Sequence, residues 1–104
     1  MERLNNDTFD AKVLHNDKLV LVDFYSDSCM PCKRLSPVLA ELEENYSDKL
    51  FIGKVNIAYE SDLIAKYEVQ AAPTLVFFKN GNIVERKVGF VKKADLIEII
   101  NANI

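Results

Sequence analysis

The 104-residue sequence has no tryptophan, only two cysteines and a single histidine. A structural zinc or iron–sulfur centre draws on four ligands, chiefly cysteine and histidine. Beyond Cys29 and Cys32 only His15 is left, so such a centre would have to be shared between two chains. A covalent haem needs histidine directly after the second cysteine, where Lys33 stands. His15 lies in a polar stretch, Leu-His-Asn-Asp-Lys, and reads as an exposed, silent connection. No apolar run approaches the length that spans a bilayer. The opening Met-Glu-Arg-Leu-Asn-Asn-Asp lacks the basic-then-apolar pattern of an export signal. The expectation is a soluble cytoplasmic protein with no membrane association. There is no basic excess either: the formal net charge of −3 disfavours nucleic acid as a partner. With no repeat, linker or low-complexity tract, residues 1–104 are expected to form a single domain.

What is present suits a packed core. Apolar residues make up 49% of the chain and charged residues 28%. Near-continuous apolar, β-branched runs at Lys18–Tyr25 and Leu50–Val55 predict strands covered on both faces. Thr74–Phe78 predicts another, and Asn80-Gly81 predicts a two-residue hairpin into a returning strand, Ile83–Val88. A weak first strand is placed at Glu2–Leu4. Helical spacing marks Thr8–Leu14, with Asp7 as cap, and Tyr59–Tyr67 and Lys92–Ala102. Leu35, Val38, Leu39, Leu42 and Tyr46 line one face of a longer helix containing Pro37, which is expected to bend it. Phe77 and Phe78 are assigned to opposite faces of a strand. The alternation implies an α/β fold with helices on both faces of a mixed sheet.

Ser28-Cys29-Met30-Pro31-Cys32-Lys33 follows a predicted buried strand and opens a helix. The first amides of a helix have no intrahelical acceptor and present partial positive charge. Sulfur placed there is stabilised as thiolate, the reactive form. Cys29, nearer the helix start, is the expected nucleophile. Cys32, three residues on, can reach it without unwinding the helix, and Pro31 is tolerated because first-turn amides are unpaired. These features point to thiol–disulfide exchange: Cys29 attacks a substrate disulfide, and Cys32 then resolves the mixed disulfide. The competing reading is a structural disulfide, but a four-residue loop restrains an unfolded chain little.

The order of Val20-Leu21-Val22-Asp23-Phe24-Tyr25, Cys29-Met30-Pro31-Cys32-Lys33, Ala72-Pro73-Thr74-Leu75, Phe78-Lys79-Asn80-Gly81-Asn82 and Val88-Gly89 resembles the thioredoxin family over nearly the whole chain. The resemblance implies a thioredoxin fold, with a central five-stranded mixed sheet flanked by four helices. It implies reduction of disulfides in client proteins, recycling by a thioredoxin reductase, and no cofactor beyond the redox-active Cys29–Cys32 pair. Asp23, a lone carboxylate in an apolar strand whose burial raises its pKa, matches the family's buried aspartate and would help deprotonate Cys32. Lys54 matches a lysine on the neighbouring strand that would oppose that rise. Pro73 matches a cis proline, whose kink would bring the Ala72 backbone to the cysteines for pairing with a client segment. Gly89 matches a glycine of the client groove, and Gly81 the hairpin glycine.

The chain departs from the family's usual Trp-Cys-Gly-Pro-Cys. Ser28 replaces the tryptophan and offers a hydroxyl to cap the helix or bond the thiolate. Met30 replaces glycine, an exposed apolar contact beside the sulfur that is expected, with Pro31, to tune the potential. Tyr25 stands where the family's other tryptophan lies. Alternatives are an interaction module on the same fold, a specialised donor to a single redox enzyme, or an oxidase or isomerase. A monomer is expected, because the charged faces show no additional apolar stripe.

Overall fold

A computed structural model describes residues 1–104. The elements run β1 (Glu2–Arg3), α1 (Asn6–Phe9), continued by a π-helical turn at Asp10–Leu14, β2 (Leu19–Tyr25), α2 (Met30–Asn45), β3 (Leu50–Asn56), α3 (Ser61–Lys66), β4 (Thr74–Lys79), β5 (Asn82–Val88) and α4 (Lys93–Asn103). One five-stranded sheet has the order β1-β3-β2-β4-β5. β1 and β2 both pair parallel to β3, while β4 is antiparallel to β2 and β5 to β4. This is the mixed-sheet α/β thioredoxin fold that the sequence implied.

The period of two along a strand divides the core into two layers. Leu19 and Leu21 of β2 join Leu35, Leu39 and Leu42 of α2 and Leu96 and Ile100 of α4. Val20, Val22 and Phe24 join Phe9, Val13 and Leu63 on the other face. Phe77 belongs to the first layer and Phe78 to the second, as their adjacency predicts. Continuing the alternation puts the side chains of Asp23 and Tyr25 on the α2 face, at the carboxyl end of β2.

Two local expectations change. The first helix starts earlier and is capped by Asn5, not Asp7. Asn5 Oδ1 accepts from the N–H groups of Asp7 and Thr8 at 2.9 and 3.0 Å, and Thr8 Oγ1 accepts from Asn5 N–H at 3.1 Å. That reciprocal pairing satisfies three backbone donors at the helix start. α3 is shorter than the Tyr59–Tyr67 pattern implied: Tyr59 is exposed, Tyr67 lies just past the last turn, and Glu68 takes a left-handed φ of 53°. Arg86 of β5 then donates to the carbonyls of Tyr67 and Glu68 at 2.6 and 2.9 Å, closing the helix end. α2 begins at Met30, within the cysteine segment as expected, and continues through Pro37. The hairpin forms as read, with Asn80 and Gly81 at φ 53° and 81°, the left-handed pair that a tight two-residue turn requires.

β5 is an edge strand with Ile83, Val84 and Val88 exposed. Together they form an exposed apolar stretch along the free edge. Glu85, Arg86 and Lys87 interrupt it, as charges commonly do on free edges.

Candidate active site

β2 ends at Tyr25, and a short loop carries the chain to α2. Cys29 is the N-cap, with extended backbone at φ −89° and ψ 114°, and its sulfur accepts the N–H of Cys32 at 3.2 Å. The capping position that a serine or aspartate oxygen usually fills is therefore held by sulfur. That N–H and the positive end of the 16-residue α2 both favour negative charge on Cys29. Pro31 sits in the first turn, where its missing N–H costs nothing. Cys29 and Cys32 are joined as a disulfide, with Cα atoms 5.2 Å apart. Cys29 is partly accessible and Cys32 is buried, so the first sulfur is the more open to solvent.

Ser28 does not cap the helix. Its N–H and hydroxyl both lie against Ser26 Oγ, at 3.4 and 3.3 Å, because Cys29 already holds the cap position. Met30 is 64% exposed beside the reactive sulfur, as its position implied.

The Ala72–Pro73 peptide is cis. The Ala72 carbonyl oxygen lies 3.4 Å from Cys29 Sγ, an acceptor for the thiol proton when the pair is reduced. Gly89 stands beside this turn: its N–H donates to the Pro73 carbonyl at 2.8 Å, and its φ is 90°. A Cβ there would meet nothing within 4 Å, so the requirement for glycine is one of backbone conformation.

Asp23 lies beneath Cys32. The two share a cavity of about 180 Å³ with Tyr25, Ser36 and Lys54. Asp23 is buried, and its Oδ1 has no hydrogen-bond partner. Loss of hydration pushes its pKa from 3.8 up to about 6, with the Lys54 charge pulling the other way. Lys54 is the register partner of Asp23 across the β2–β3 pair. It makes no ion pair with Asp23. Its ammonium instead sits 5.2 Å from the centroid of the Tyr25 ring, close enough to act on the carboxyl through space. The structure thus brings Asp23, Cys32 and Lys54 into one cavity, and sets the partly exposed Ala72 and Gly89 beside Cys29, joined through the buried Pro73.

Two buried polar residues that shape the site were missed from sequence. Asn56, at the end of β3, donates to Asp27 Oδ2 at 3.2 Å and accepts from Ala58 N–H at 2.9 Å, anchoring the loop that leads to Cys29. Thr74 Oγ1 donates to the Ala71 carbonyl at 2.6 Å and fixes the turn that presents Ala72. The sequence places Thr74 at the start of a strand and Asn56 just past the end of one. The available signal was a polar side chain at the strand end nearest the cysteines. Elsewhere, His15 is exposed, and no three His, Cys, Asp or Glu side chains converge as a metal site would need. No helix is long and apolar enough to cross a membrane.

Comparison with known proteins agrees with this geometry. The family model for thioredoxin matches residues 1–102. The chain is 42% identical to a thioredoxin of Pseudomonas aeruginosa, over 93% of this chain and 90% of that protein. It is 38% identical to a thioredoxin of Buchnera aphidicola, over 97% and 94%. It is 39% identical to one from Rickettsia bellii, over 93% and 92%. A cysteine pair able to form a disulfide at the start of α2, on this sheet and with this match, makes the chain a member of the thioredoxin family of thiol–disulfide oxidoreductases.

Proposed function

We propose that this single domain reduces disulfides of client proteins as a cytoplasmic monomer, with Cys29 as nucleophile, Cys32 as resolving thiol and Asp23 as proton acceptor. The reading is carried by one observation: the accessible sulfur caps α2, while the buried sulfur shares its cavity with a carboxyl of raised pKa.

Cys29 thiolate attacks one sulfur of the client disulfide. A Cys29–client disulfide forms and the other client sulfur leaves as thiolate. Cys32 then loses its proton to the Asp23 carboxylate, directly or through water in the cavity, and attacks Cys29 Sγ. The second client sulfur leaves as thiolate, and the domain now holds the Cys29–Cys32 disulfide. Two electrons have passed to the client. A dithiol donor, a thioredoxin reductase by family likeness, restores the pair by the same exchange. A proton acceptor suits this step when its pKa lies near the working pH, and about 6 is nearer than 3.8. The Ala72 backbone beside Cys29 supports pairing with an extended client segment, as in strand addition; Gly89 stands on the same approach, and the buried Pro73 joins the two. Met30 and Ser28 stand where they adjust the potential and the contacts of Cys29, and Lys54 adjusts Asp23.

Insulin reduction with dithiothreitol tests this reading. The wild type should accelerate precipitation, Cys29→Ser should not, and Cys32→Ser should accumulate a covalent Cys29–client adduct. Equal rates for wild type, Cys29→Ser and buffer would overturn it.

A further inference from the structure

The rim of the cysteine site carries a cation that nothing in the chain neutralises. Arg34 lies on α2 one turn beyond Met30 and on the same side, since residues four apart are neighbours on a helix. Helical side chains lean toward the N-terminus, which brings the Arg34 head toward the cysteine end. Its guanidinium carbon is 5.0 Å from the centroid of the Phe90 ring. Phe90 follows Gly89, which is bonded to Pro73, and the adjoining Ala72 carbonyl touches Cys29. Arg34 and Phe90 therefore close a circuit of contacts around the reactive sulfur. Phe90 is 43% exposed, so the Arg34–Phe90 pair is open to a partner from solvent.

The three ion pairs of the chain join Met1 to Glu43, Lys12 to Glu2 and Lys93 to Glu41, and Arg34 is in none of them. The ring contact engages its charge but supplies no hydrogen-bond acceptor, so the planar N–H fork stays free. Such a fork fits a carboxylate with two parallel bonds. A side chain already steadied on a ring also loses less freedom when a ligand engages it. The nearest carboxylate on the loop before Cys29, Asp27, is held by Asn56.

We propose that Arg34, steadied on Phe90, selects client segments carrying a carboxylate beside the cysteine that Cys29 attacks. The proposal rests on the client-reducing reading above and names its substrate class. The net charge of −3 repels acidic segments as a whole, so a preference for them must arise locally.

The test uses the full chain in its dithiol form and three disulfide-closed peptides differing only in Glu, Gln or Lys next to one cysteine. Second-order reduction rates are each divided by the rate of the same peptide with dithiothreitol, which removes intrinsic reactivity. The wild type should favour Glu over Gln over Lys. Arg34→Gln should lower the Glu-to-Gln ratio by about two- to fivefold, the upper part of the range for one exposed charge pair, and Arg34→Lys should recover part of it. Phe90→Tyr, which retains the ring, should keep the ratio, and Phe90→Leu should lower it. Lys49→Gln, the same charge change at the opposite end of the sheet, should leave it unaltered. Equal normalised rates for all three peptides, an unchanged ratio in Arg34→Gln, or an equal loss in Lys49→Gln would overturn the role of Arg34 and leave the oxidoreductase reading intact. Failure to reduce any peptide would overturn both.

Discussion

Replacing Asp23 with asparagine removes the one buried carboxyl of the sheet and should stabilise the oxidised protein in a pH-dependent way. In the folded chain the carboxyl holds its proton up to about pH 6, whereas its ordinary value is 3.8. Between those values the folded state binds more protons than the unfolded state, so wild-type stability falls as pH rises. Below 3.8 both states are protonated and no penalty exists. Above about 6 both are ionised and the penalty is complete. The interval is about 2.2 pH units, which at about 1.4 kcal/mol per unit makes the penalty about 3 kcal/mol at pH 7. The amide is neutral throughout. The stability of Asp23→Asn relative to wild type should therefore rise by about 2 to 3 kcal/mol between pH 4 and pH 7 and then level off. Any cost of seating the amide, which has its own donors to satisfy, adds a constant offset and leaves the slope untouched. The assay is urea unfolding of both oxidised proteins at intervals from pH 4 to 8, followed by far-ultraviolet circular dichroism because the chain has no tryptophan. A difference that stays flat across this range, or falls with pH, would refute the assignment of a desolvated carboxyl at Asp23.

Other consequences follow from the same geometry. Lys54→Gln removes the charge that holds Asp23 down, so the Asp23 midpoint and any inflection it gives the rate–pH profile should move to higher pH, read by titrating the carboxyl with NMR. Thr74→Val leaves the Ala71 carbonyl without its 2.6 Å partner; a loss of about 1 kcal/mol or more in urea unfolding is expected, with slower client reduction as the Ala72 turn loosens. Arg86→Ala removes both donors to the end of α3, and urea unfolding should register a loss of about 1 to 3 kcal/mol, with earlier amide exchange at Val69.

Much of this protein is legible in its sequence because the information is local. A strand such as Leu19–Tyr25 announces itself by composition, and α2 by its spacing from Leu35 to Leu42. Asn80-Gly81 specifies its own turn, since those residue types adopt left-handed φ most readily. The pair Cys29 and Cys32, placed where a strand gives way to a helix, already implies unequal sulfurs. Where local signals competed, the reading slipped. Asn5 and Asp7 both suit a cap by type, and Asn5 takes the position, its Oδ1 accepting two backbone N–H groups while Thr8 Oγ1 accepts its own. Ser28 is a good cap residue by type, but the helix begins one position later, at the sulfur.

What tertiary structure decided is every contact between distant parts of the chain. Ala72 meets Cys29 across 43 positions because β4 runs antiparallel beside β2 and ends its turn at the carboxyl end of that strand. Asp23 gains its raised pKa only when the fold buries the end of β2, and the register with β3 sets Lys54 alongside to limit that rise. Arg34 and Phe90 carry no pattern at all until α2 and the segment before α4 come together. Periodicity reports which face of an element is apolar. Strand order and register decide which polar groups share a cavity, and that sharing sets desolvation and Coulombic distance, which govern how the two cysteines react.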